Sequence, residues 1–211
     1  MNEIIQRFFT SFFLIGCLYI AYINEIFFIV VLLTILILSI FEYSKLIDKI
    51  KLKKTKKIIY NISGYFYIII VFVFLIYQFN DIKNIIFYFI LICITTDIGG
   101  LIIGKIFKGK KLTKVSPNKT YSGFYGSFLM SFIVMFVCYN NLNLNFVIIL
   151  LFTFSVCLLS QFGDLFFSFI KRKAKVKDTG KLLPGHGGIL DRVDGMIMSV
   201  PINVLIYTLT L

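Results

Sequence analysis

Long apolar blocks alternate with short polar stretches along the whole 211-residue chain. Each block approaches the roughly 20 residues that cross a bilayer core as α-helix, and none shows the polar–apolar alternation of membrane-barrel strands. The pattern therefore predicts an all-α, polytopic integral membrane protein. We predict seven spans, at residues 7–23, 26–43, 58–79, 85–104, 124–139, 146–170 and 193–211.

The polar connections alternate in charge. Those at 24–25, 80–84 and 140–145 contain only one basic residue, Lys83, whereas those at 44–57, 105–120 and 171–192 contain seven, six and seven Lys or Arg. Because lysine and arginine are enriched in cytoplasmic loops, we predict three basic cytoplasmic loops, an inner N-terminus and an outer C-terminus.

Composition narrows the class further. The chain is 59% hydrophobic and has a formal net charge of +12, which excludes a water-soluble domain; no nucleic-acid partner is expected. The four cysteines stand singly in apolar blocks, which is typical of buried thiols rather than of a metal site. We predict a single domain, residues 1–211, in which 1–94 form N-terminal helices and 95–211 carry the chemistry.

Four of the ten acidic residues cluster near the cytoplasmic ends of predicted spans: Asp97, Asp164, Asp191 and Asp194. Asp164 lies late in a long apolar helix, where a carboxylate is costly, and the spacing of Asp191 and Asp194 puts them on one helix face. Oxygen-only ligands favour Mg²⁺. We predict that Asp164, Asp191 and Asp194 bind it, with Asp97 as a further candidate; a second cation is left open.

Basic and glycine-rich segments accompany these carboxylates. Lys171 follows Asp164 by two helical turns and is expected on the same face, next to Arg172. The PGHGG stretch at 184–188 is too rich in glycine for a helix, and its amides could bind an anion or simply form a turn. The SPNKT stretch at 116–120 offers Lys119 as a second phosphate contact.

Two features have competing interpretations. The GGLIIGK stretch at 99–105 has the glycine and lysine spacing of a P-loop, but Ile106 stands where a Ser or Thr should hold the metal. We therefore interpret Gly100 and Gly104 as a helix-packing GxxxG motif. His186, the sole histidine, is expected to donate a hydrogen bond to phosphate rather than act as a base.

The stretch SQFGDLFFSFIKRKAKVKDTGKLLPGHGGILDRVDG, residues 160–195, resembles the signature region of phosphatidate cytidylyltransferases, also called CDP-diacylglycerol synthases. A second stretch, from Asp97 through SPNKT to Gly126, resembles the family's other cytoplasmic loop. Where the family usually has Trp-Glu after this element, the chain has Tyr121 and Ser122, so an acidic contact is missing. The chain is also shorter than typical members in its first half.

The resemblance implies that CTP and phosphatidic acid react to give CDP-diacylglycerol and pyrophosphate, with Mg²⁺ as cofactor and the active site on the cytoplasmic face of a bacterial cell membrane. It implies catalytic roles for Asp164, Lys171, Asp191 and Asp194. Membrane lipids are expected around the protein, and a homodimer is left open; Asp178 has no assigned role. The residues expected to bind substrate are Ser116, Lys119, Lys171, Arg172, Lys177, His186, Gly187, Gly188 and Arg192.

Other functions fit parts of the pattern. A polyprenol kinase would also use CTP and a metal but would transfer the γ-phosphoryl group. A CDP-alcohol phosphotransferase is disfavoured because its DGxxAR-type aspartate array does not occur. An anion transporter would need polar residues along several spans, and the first, second and fifth predicted spans are nearly free of them.

Overall fold

The computed structural model describes residues 3–113, 115–185 and 187–210, and over these residues the chain forms six α-helices. A short 3₁₀ turn, Tyr139–Asn141, follows the fourth. No strand occurs in these ranges, so the all-α prediction is confirmed. The helices are α1 (Glu3–Ile23), α2 (Glu25–Lys49), α3 (Lys54–Phe107), α4 (Tyr121–Cys138), α5 (Phe146–Lys173) and α6 (Leu190–Thr210).

Most of these helices have the dimensions of membrane spans. Among the described residues, α2, α3, α5, α6 and α4 with its following turn are long and apolar enough to cross a membrane, and α1 contributes a shorter apolar stretch, Phe8–Ile23. The prediction of a polytopic membrane protein is confirmed.

Helix α3 departs from the predicted spans. The third and fourth predicted spans both lie in α3, and the loop expected at 80–84 is helical except at Ile82, whose backbone has φ −131° and ψ 33°. A straight helix of 54 residues would be about 80 Å long, more than twice a bilayer core of about 30 Å. The interruption at Ile82 divides α3 into two stretches that are each long enough to cross. The polar Asn80 is accommodated by a hydrogen bond of 2.7 Å from its Nδ2 to Glu25 Oε1.

The basic connections are shorter than predicted. Helix α2 continues to Lys49, α3 begins at Lys54 and ends at Phe107, and α5 continues to Lys173. Lysine is favourable at a helix C-terminus, and its long stem lets the ammonium reach water, which explains why α2 and α5 continue to Lys49 and Lys173. The dipole does not favour lysine at Lys54, where α3 begins. In the structure, the basic connections are residues 50–53, 108–120 and 174–189. Lys114 in the second connection and His186 in the third lie outside the described residues.

Two compact units divide the chain: Met1–Lys83 with Ile170–Val193, and Asn84–Phe169 with Asp194–Leu211. In the first unit, Phe28 stacks on Phe79 with ring centroids 3.9 Å apart. Tyr43 donates a hydrogen bond of 3.2 Å to the Tyr60 carbonyl. These contacts pack α2 against the first half of α3. The single domain expected from the sequence stays a prediction.

In the second unit, glycines let the end of α3 approach α4 closely. A Cβ added to Gly100 would lie 2.8 Å from Ser127 Oγ, and one added to Gly104 would lie 3.1 Å from Thr120 Oγ1. Ser127 Oγ also donates to the Thr96 carbonyl at 2.7 Å. The interpretation of Gly100 and Gly104 as a helix-packing motif is confirmed.

Candidate active site

An ion pair joins the end of α5 to the start of α6 in the first unit. Lys171 Nζ lies 2.8 Å from Asp191 Oδ1, and both side chains are largely buried. The other oxygen of Asp191 accepts hydrogen bonds from the amides of Thr179 at 2.8 Å and Gly188 at 3.0 Å. The signature residues Lys171 and Asp191 are therefore brought together, and the loop between them holds the carboxylate in one orientation.

A carboxylate that sequence analysis missed organises the same loop. Glu42 in α2 is 2% exposed and accepts a hydrogen bond of 2.7 Å from Thr179 Oγ1. The amides of Ile189 and Leu190 donate to it at 3.1 Å and 2.8 Å. The available signal was an acidic residue in an apolar span, but its partners are 137 to 148 residues away in the sequence.

The described residues on either side of His186 have the contacts of a tight turn, one of the two interpretations that the sequence allowed. Leu183 N donates to the Gly187 carbonyl at 2.9 Å, and Gly185 and Gly187 have φ of 73° and 83°, which a side chain would disfavour. A Cβ on Gly188 would lie 2.1 Å from Thr179 Oγ1. The amide of Gly188 donates its hydrogen bond to the carboxylate of Asp191. The predicted phosphate contacts of Gly187 and Gly188 stay predictions, and His186 lies outside the described residues.

A second ion pair lies in the second unit. Lys119 of the SPNKT loop pairs with Asp164 Oδ2 of α5, and each side chain is about a quarter exposed. Ser168 Oγ donates to the other Asp164 oxygen at 3.3 Å. Two hydrogen bonds from backbone amides shape the SPNKT loop. Leu112 N donates to the Lys119 carbonyl at 2.8 Å, and Ser116 N donates to Thr113 Oγ1 at 3.2 Å. The structure thus brings the SPNKT loop to Asp164.

In the same unit, α5 and α6 cross closely at Gly163. A Cβ on Gly163 would lie 2.8 Å from the Asp194 carbonyl oxygen and 3.0 Å from Gly195 Cα. Asp194 is buried, and its Oδ1 accepts from the Gly195 amide at 2.9 Å. Asp164 directly follows Gly163 in the chain, so the backbones of both predicted residues lie at or next to this crossing.

The remaining predicted residues lie at the surface of their units. Arg172, Lys177 and Arg192 are exposed, as are Asp97 and Asp178. The guanidinium of Arg172 donates to the Val176 carbonyl at 3.5 Å. Exposed arginines and lysines give the 171–192 segment a surplus of positive charge, which attracts anions such as nucleoside triphosphates.

The carboxylates were also predicted to bind a metal. Within residues 3–113, 115–185 and 187–210, no three His, Cys, Asp or Glu side chains are grouped so that they could hold an ion. The donor chemistry nevertheless fits a hard cation, because Asp164 and Asp194 supply only oxygens and Asp164 already faces a cationic ammonium. The metal assignment stays a prediction.

The chain is similar to known proteins. A family model described as "Cytidylyltransferase family" matches residues 3–210. Among curated relatives, a phosphatidate cytidylyltransferase of Helicobacter pylori (strain J99) is 41% identical over 126 residues, which is 59% of this chain and 47% of that protein. The enzyme of the same name from Staphylococcus epidermidis (strain RP62A) is 40% identical over 131 residues, 60% of this chain and 50% of that protein.

A third relative gives a somewhat longer match. The phosphatidate cytidylyltransferase of Rickettsia bellii (strain RML369-C) is 38% identical over 143 residues, 63% of this chain and 62% of that protein. The chain spans about half the length of the first two relatives. Since the family model takes in nearly every residue, the chain belongs to the cytidylyltransferase family.

Proposed function

We propose that the chain transfers the cytidylyl group of CTP to phosphatidic acid, giving CDP-diacylglycerol and pyrophosphate for phospholipid biosynthesis. The observation that carries the proposal is the pair of lysine–carboxylate contacts, Lys119 with Asp164 and Lys171 with Asp191, in the two signature-like segments. Membership in the family and the names of the relatives support the same reaction.

The proposed reaction exchanges one phosphoanhydride linkage for another. A phosphate oxygen of the lipid forms a bond to the α-phosphorus of CTP, the bond from that phosphorus to the bridging oxygen breaks, and pyrophosphate leaves. The attacking phosphate is already ionised, so no base has to remove a proton. Positioning and charge neutralisation then supply the catalysis.

The chain's basic residues supply that neutralisation. Lys119 and Lys171 hold ammonium groups beside carboxylates, where they would contact phosphate oxygens of the bound substrates. Arg172, Lys177 and Arg192 are exposed and would contact the triphosphate, the arginines through paired N–H groups.

Magnesium is the cation that the donor set favours. In this proposal Asp164 and Asp194 hold it within the second unit, and it polarises the triphosphate when bound. The participation of Asp191, of Asp97 and of a second cation stays a prediction.

A labelling experiment tests the reaction. Purified protein with CTP, phosphatidic acid and Mg²⁺ should transfer label from α-³²P-CTP into the lipid and release labelled pyrophosphate from γ-³²P-CTP. Incorporation of the γ label into lipid would instead identify a lipid kinase, and the absence of any labelled lipid would reject the proposal.

We also propose that the basic connections and the site face the cytoplasm. Lys83 would then lie on the opposite side, where its ammonium stands 4.7 Å from the Tyr22 ring centre. Lys83→Ala should keep nearly full activity and lose at most about 1 kcal/mol of stability, the value of an exposed cation–π contact. Initial rates and a thermal unfolding curve in detergent would check this; a severe loss of activity in folded protein would overturn the topology.

A further inference from the structure

Glu42 is a buried carboxylate that takes no part in the reaction proposed above. We propose that it is a positioning residue: it fixes residues 179–190 so that Asp191 is held in the orientation that pairs with Lys171. The inference rests on the proposed function, because Asp191 and Lys171 matter to catalysis only if that reaction occurs.

The contacts of Glu42 use both of its oxygens. Oε2 accepts from Thr179 Oγ1 at 2.7 Å and from Leu190 N at 2.8 Å, and Oε1 accepts from Ile189 N at 3.1 Å. Two of the three donors are amides at the start of α6, which lack partners within the helix. The carboxylate of α2 therefore caps α6 and, through Thr179, holds the other end of the loop.

The same loop segments supply the donors of Asp191. Thr179 gives its hydroxyl to Glu42 and its amide to Asp191 Oδ2 at 2.8 Å. The amide of Gly188, next to Ile189, also donates to Asp191. A shift of the loop away from Glu42 must therefore displace both amide donors that orient Asp191.

Close packing leaves little room for an alternative loop position. A Cβ on Gly180 would lie 2.4 Å from Glu42 Oε1, and one on Gly188 would lie 2.4 Å from Glu42 Oε2. Burying a carboxylate is costly, and an apolar side chain would fill the same space without that cost. What the carboxylate adds is the directional anchoring of three specific donors.

Hydrogen–deuterium exchange tests the positioning without CTP or metal. Glu42→Gln replaces one acceptor oxygen with an NH₂ group, which cannot accept from the amides at the start of α6. In detergent-solubilised protein, exchange in a peptide covering residues 179–190 should accelerate at least about 10-fold. The matched control is Glu25→Gln, on the exposed first turn of the same helix, which should leave that peptide unchanged.

Activity per folded molecule tests the consequence for catalysis. Glu42→Gln and Thr179→Val should each lower kcat about 10-fold, the lower end of the effect of residues that orient ligands. Thr179→Ser keeps the hydroxyl and should restore the rate. The double variant should lose no more than the worse single variant, because both changes break the same link.

The outcomes separate this inference from the proposed function. Unchanged loop exchange in both Glu42→Gln and Thr179→Val rejects the positioning role, whether or not the protein is active. Faster exchange with an unchanged kcat rejects its catalytic consequence. An inactive wild-type protein rejects the proposed function, while the exchange measurement still decides whether Glu42 holds the loop.

Discussion

Asp164→Asn is expected to lower CTP- and Mg²⁺-dependent formation of CDP-diacylglycerol by about 100-fold or more, the scale seen when a catalytic charge contact is removed. The substitution removes the negative charge that Lys119 faces and the oxygen proposed to hold magnesium. The pair is partly exposed, so its loss should cost stability no more than about 1 kcal/mol. The protein should therefore remain folded in the membrane while its activity is lost.

Initial rates in mixed micelles, normalised to folded protein, measure this effect. Asp48→Asn is the matched control, because Asp48 is an exposed aspartate outside the signature segments and should keep wild-type activity. Full activity of the Asp164→Asn protein would falsify the role given to this carboxylate.

Gly163→Ala is expected to destabilise the crossing of α5 and α6. The added methyl group would lie 2.8 Å from the Asp194 carbonyl oxygen and 3.0 Å from Gly195 Cα, and backbone atoms cannot move aside as a flexible side chain can. Overpacking of this kind costs about 1–3 kcal/mol. The separation of the helices should also reduce activity, since Asp164 and Asp194 stand at the crossing.

An unfolding titration in detergent compares the stability of the Gly163→Ala protein with that of a Gly16→Ala control. Gly16→Ala makes the same chemical change in α1, where an added Cβ meets nothing within 4 Å. Because alanine is the better helix former, that control should hold or gain stability, by up to about 1 kcal/mol. Equal unfolding midpoints for the two variants would show that the crossing tolerates a methyl group.

Local signals in the sequence predicted much of the fold. Apolar block length placed the helices, and the spacing of Gly100 and Gly104 predicted a helix-packing contact, whose partner in the structure is α4. The loop expected at 80–84 was wrong because Asn80 and its polar neighbours continue the helix, with Asn80 bonded to Glu25 in a different helix. A partner brought near only by folding cannot be inferred from the residues beside it.

The candidate site, too, was predicted where local sequence signals were enough and missed where distant partners decide. Lys119 was predicted only as a phosphate contact, so its ion pair with Asp164 was not foreseen, whereas the position of Asp191 at the start of the last described helix was predicted. Glu42 was missed because its meaning depends on Thr179, Ile189 and Leu190, which lie far along the chain. Its neighbours in α2 give no indication of these donors.

The burial of Glu42 also has a consequence for the order in which the chain is assembled. Thr179 follows Glu42 by 137 residues, which take about 7–30 s to synthesise at 5–20 residues per second. During that interval α2 carries a carboxylate whose hydrogen-bond donors do not yet exist. The buried hydrogen bonds of Glu42 can form only after the loop and the start of α6 have been made, so α2 acquires these contacts late in synthesis.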